Sequence, residues 1–157
     1  MSPEIAERIA APPPLLARHA SPPLAPDEAT GLDLILEGFL LHHGRPRGNP
    51  PASGLILAGD ACYAEGLVRV AAAGDLVVIR LLADLIARSA SLVADQRHNL
   101  LPALWAATVA TIASHGREGV NQLAAAADAM SSGDPSALVH LAEQSDCYPE
   151  LAEVLAP

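Results

Sequence analysis

Between Asp75 and Ala94 the chain carries only three charges past its first residue: Arg80, Asp84 and Arg88, each four residues from the next. Four residues is close to one helical turn, so the three share one narrow stripe. The remaining positions are apolar or small. Such a segment is a helix that must bury most of its circumference, in the centre of a bundle or between chains. Further apolar helices have to surround it. The stretch from His98 to Gly116 has no charge at all and carries the single tryptophan, Trp105. It contains two histidines, Asn99 and Pro102, and is rich in Ala and Thr. It therefore reads as a buried core helix and not as a membrane span. With 51% apolar residues, mostly Ala, Leu and Val, and only 3% aromatics, the expected fold is all-α, a compact bundle of about six helices.

Glycine and proline punctuate the helices. Residues 1–27 hold Pro3, Pro12 to Pro14, Pro22, Pro23 and Pro26. Proline at this density favours extended backbone. The segment reads as an N-terminal arm, with a short helix at Pro3 to Ala10, ahead of a helical domain over residues 28–157. Asp27 is the expected cap of a helix from Glu28 to about Leu41. A loop follows, and Pro50 or Pro51 suits the first turn of a helix running to about Ala73. Gly74 ends that helix and Asp75 caps the next. Further helices are expected over about Leu100 to Ser114, Arg117 to Met130, from Asp134-Pro135 to about Ser145, and from Pro149.

The 157 residues fit one domain and carry a net charge of −9. That charge disfavours nucleic acid and anionic membrane surfaces, because nothing would neutralise a run of phosphates. All positive charge is Arg, with no Lys, which removes a lysine Schiff base or phosphate clamp. Two cysteines, Cys62 and Cys147, are too few for a disulfide framework and fit a reducing, cytoplasmic setting. No basic segment precedes an apolar run at the N-terminus, so no signal peptide is expected.

One constellation carries chemistry. Asp33-Leu34-Ile35-Leu36-Glu37 is followed by His42-His43-Gly44-Arg45-Pro46, then by Gly59-Asp60 at the head of an apolar helix. The order and spacing resemble the first aspartate-rich region of the trans-isoprenyl diphosphate synthases (polyprenyl synthetases), over about residues 29–92. That family reads Asp-Asp-x-x-Asp, then Arg-Arg-Gly-x-Pro, then Gly-Asp. Counted back from Gly44 without a gap, Asp33 falls on the first aspartate, Leu34 on the second and Glu37 on the third. His42 and His43 fall on the two arginines. Gly44, Arg45 and Pro46 match, and Gly59-Asp60 matches after a short deletion.

The departures decide what the resemblance implies. Mg²⁺ wants several hard oxygens, and Leu34 removes one. The arginines would grip diphosphate as permanent forked cations, which histidines are not. The second aspartate-rich motif has no match; in the segment after Gly116-Arg117, Ala125 and Ala126 stand where aspartates would. Ionising an allylic diphosphate needs metals and cations together. The resemblance thus implies a degenerate site at Asp33, Glu37, His42, His43, Arg45 and Asp60, with no catalytic residue, no metal and no cofactor.

The expected function is a non-catalytic helical subunit, accessory or structural, in a larger hetero-oligomer of protein subunits. One alternative is the small regulatory subunit of a two-component prenyl diphosphate synthase. Another is a binding module for a prenyl chain, quinone or other lipid, with Leu36, Phe39, Leu40 and Tyr63 lining an apolar pocket. Three further features have plainer readings. His42-His43 with Glu37 reads as a polar helix end before a metal site. Cys62 reads as core before a reactive thiol. Arg80, Asp84 and Arg88 read as salt bridges within one helix before an anion site.

Overall fold

The computed structural model describes residues 14–19, 24–43, 45–48, 54–114 and 116–155. Among them are eight α-helices, one 3₁₀ turn and no strand, so the chain is all-α with more helices than the six expected. In chain order they are α1 (Leu16–His19), α2 (Pro26–His42), α3 (Leu55–Ala73), α4 (Leu76–Ala94), the turn His98–Leu100, α5 (Leu101–Ser114), α6 (Arg117–Ser131), α7 (Ser136–Glu143) and α8 (Tyr148–Val154). The expected helix at Pro3 to Ala10, and Pro50 and Pro51, lie outside the described residues. The chain divides into two compact units. One comprises Met1–Arg18 with Ala25–Leu76, the other His19–Leu24 with Val77–Pro157.

The first unit is built on the antiparallel pair α2 and α3. Pro26, not Glu28, opens α2, and Ala25 is the cap position with no side-chain hydrogen bond. Asp27 therefore sits inside the first turn with Glu28, where both carboxylates face the positive end of the helix dipole. At the far end of α3, Gly74 takes φ 75° and its N–H reaches the Ala71 carbonyl at 3.0 Å. A left-handed residue here favours glycine, as its place in the sequence implied.

What brings α2 and α3 together is two pairs of glycines in one register. A Cβ on Gly31 would meet the Gly66 carbonyl at 2.8 Å, and one on Gly66 would meet the Gly31 carbonyl at 2.7 Å. Two turns further on, a Cβ on Gly38 would lie 3.0 Å from the Gly59 carbonyl, and one on Gly59 3.2 Å from that of Gly38. Seven residues forward on α2 is seven back on α3, which is two helical turns. The backbones touch where any side chain would hold them apart. Leu41, Ala58 and Cys62 form a small core cluster beside this seam, joined by Leu34 and Leu55.

In the second unit α5 is the central helix. Leu101 through Val109 are all buried, and α6, α7 and α8 pack on it. Thr108 and Thr111 are buried there because their hydroxyls donate to the Leu104 and Ala107 carbonyls, each at 2.8 Å. The expectation that α4 buries most of its circumference does not hold. Its buried face is Val78, Leu81, Leu82, Leu85, Ser89 and Leu92. Leu76 and Val77 are exposed, and so are Ala83, Ala87 and Ala90. Alanine made the helix look more apolar than its packing needs, since a methyl loses little by facing water. Arg88 of the charged stripe pairs outside its own helix: it donates to Asp128 of α6 at 2.7 Å and to the Ser131 hydroxyl at 3.2 Å. α7 starts at Ser136 with Pro135 at the cap position, one residue later than expected, and the Asp134 carboxylate accepts the Ser136 N–H at 3.0 Å from just outside the helix. No helix among the described residues is long and apolar enough to cross a membrane.

Candidate functional site

The residues of the degenerate motif stand on α2, on the loop after it and at the start of α3. Asp33 and Glu37 are one turn apart and face the same way, as their spacing requires. Neither faces an open site. Asp33 Oδ1 accepts the backbone N–H groups of Leu15 and Leu16 at 2.8 and 2.9 Å, and Oδ2 accepts that of Ala17 at 3.0 Å. The carboxylate thus closes the N-terminal end of α1, a four-residue helix whose own sequence offers no acidic residue in its first turn. Leu15 and Leu16 are buried. Leu15 to Ala17 of the N-terminal arm are therefore held against this chain's own α2.

Glu37 is 2% exposed. Its Oε1 accepts the Arg47 backbone N–H at 3.2 Å, and its Oε2 accepts Arg47 Nε at 3.1 Å. Arg47 Nη2 also stands 3.9 Å from Asp33 Oδ1. Arg47 is thus the cation between both motif carboxylates, and the motif comparison missed it because it lies two residues beyond Arg45. A buried glutamate needs a partner, and that requirement was the available signal. The loop reaches back because the Arg45 N–H bonds the Leu40 carbonyl at 2.8 Å.

The histidines and Asp60 form a separate group. His42 Nε2 lies 3.0 Å from Asp60 Oδ1, bridging α2 to α3. The His42 ring also meets Tyr63, with centroids 5.3 Å apart, and His43 meets Phe39 at 4.5 Å. At about 100° per residue, His42 lies on the α3-facing side of α2 with Gly31 and Gly38, roughly opposite Asp33 and Glu37. The linear motif therefore splits into two clusters on two sides of one helix. Asp60 is 61% exposed at its side chain, so the bridge is a weak surface pair.

The candidate pocket residues also separate. Leu36, Phe39 and Leu40 are buried. Tyr63 lies against Gly38, where a Cβ would come within 3.1 Å of its ring. Leu36 and Leu40 point to the far side of α2 from Gly38, so the four do not line one cavity.

Chemically, both motif carboxylates are occupied by donors of this chain. A divalent cation would have to displace three backbone N–H groups at Asp33, or the Arg47 guanidinium at Glu37. Among the described residues no group of three or more His, Cys, Asp or Glu is placed to hold a metal ion. Cys62 is a buried free thiol. Burial, with the Glu37 charge adding to it, pushes its pKa from 9.0 up to about 11. Burial alone raises the Tyr63 phenol from 10.0 to about 12.

The unfolded chain releases both protons at lower pH than the folded one. Stability is therefore whole below pH 9 and is lost as pH rises toward 11 and 12. At about pH 8 the folded protein should leave Cys62 unlabelled by iodoacetamide. Urea midpoints should fall as pH rises above 9, and less steeply in Cys62→Ala. Fast labelling of the folded protein at neutral pH would show an activated thiol instead.

Compared with protein-family models, with curated proteins and with solved structures, the chain has no match.

Proposed function

We propose that the chain is a non-catalytic helical protein, resembling a degenerate isoprenyl diphosphate synthase, that acts as an accessory or structural subunit of a larger cytoplasmic assembly. The observation that carries this reading is the use made of Asp33. Its two oxygens take three backbone N–H groups of α1. A carboxylate so committed anchors the chain, and three of its roughly four lone-pair sites are already taken, which leaves it a poor ligand for a substrate metal. Glu37 is committed in the same way to Arg47. The same side chains that would serve catalysis in the family that the motif resembles here serve folding. Outward, the first unit presents apolar helix surface, which suits assembly.

Two measurements test this. Titration calorimetry with Mg²⁺ and farnesyl diphosphate together should give no binding heat. A tagged pull-down from the native host, resolved by size exclusion and mass spectrometry, should recover the chain in a stoichiometric hetero-oligomer. A catalytic prenyl synthase in that complex would narrow the reading to the small subunit of a two-component enzyme. Metal-dependent diphosphate binding, or a lone monomer carrying a co-purified isoprenoid or quinone, would overturn it.

A further inference from the structure

We draw no further inference here: the strongest candidate, the exposed apolar face of α3 that carries Ile56, Leu57 and Val68, supports none because nothing in the structure shows what covers it.

Discussion

Gly66→Ala should destabilise the protein by about 2 kcal/mol, although alanine is the better helix former. In an exposed helix interior the exchange would stabilise by about 1 kcal/mol. Here the new methyl would come within 2.7 Å of the Gly31 carbonyl and 2.8 Å of Ile35 Cγ1. The first obstacle is backbone, which has no rotamer to change. The two helices must separate, and the contacts along the seam loosen together. Gly31→Ala should cost a similar amount, meeting Val70 Cγ2 at 2.7 Å and the Gly66 carbonyl at 2.8 Å. Gly59→Ala should cost less, because its nearest obstacle is the His42 imidazole, which can swing away at the expense of a weak surface pair. Gly54→Ala should be near neutral, with nothing within 4 Å. Urea unfolding followed by circular dichroism gives all four midpoints. A stabilised Gly66→Ala would mean that α2 and α3 do not approach at the glycines.

That seam was written in the sequence as glycines seven apart on each of two adjoining helices, Gly31 with Gly38 and Gly59 with Gly66. Reading each helix alone does not reveal it, because a glycine within one apolar helix looks like a small core residue. Only the antiparallel register joins the two spacings. Helix ends set by local chemistry were legible: Gly74 and the break at Gly116 act within a turn of chain, and Asp134-Pro135 marked the next helix start to within a residue. Burial was not. The nearly charge-free α4 leaves Leu76 and Val77 in solvent, while α5 takes the central place. Apolar composition fixes which residues tolerate burial, and packing partners decide which of them receive it.

The site was legible as a list and not as a place. Asp33, Glu37, His42 and Asp60 follow one another in the expected order, but rotation along α2 sends Asp33 and Glu37 to one side and His42 to the other. Arg47, which holds the first pair, fell outside the motif altogether.

Arg47→Met should be the most destabilising single substitution in the first unit, at about 3–5 kcal/mol. Glu37 keeps only 3% of its side chain exposed and Arg47 only 13%. Among the described residues, removing the guanidinium leaves the buried carboxylate with the backbone N–H of residue 47 as its remaining donor. It also takes from Asp33 a cation 3.9 Å away. The desolvation that the pair shared then falls on Glu37 by itself. Replacing both partners removes the charge along with its counter-charge, so Glu37→Leu with Arg47→Met should lie within about 1 kcal/mol of the wild type. Glu37→Leu alone should fall between the two, because Asp33 still faces the guanidinium. The coupling from the four midpoints should therefore be large, on the order of 2–3 kcal/mol. This ordering separates a structural lock from a vacated ligand site. In a lock the double substitution restores what Arg47→Met loses. In a ligand site Glu37 would be held by an outside group, and Arg47→Met would alter binding while leaving the unfolding midpoint in place.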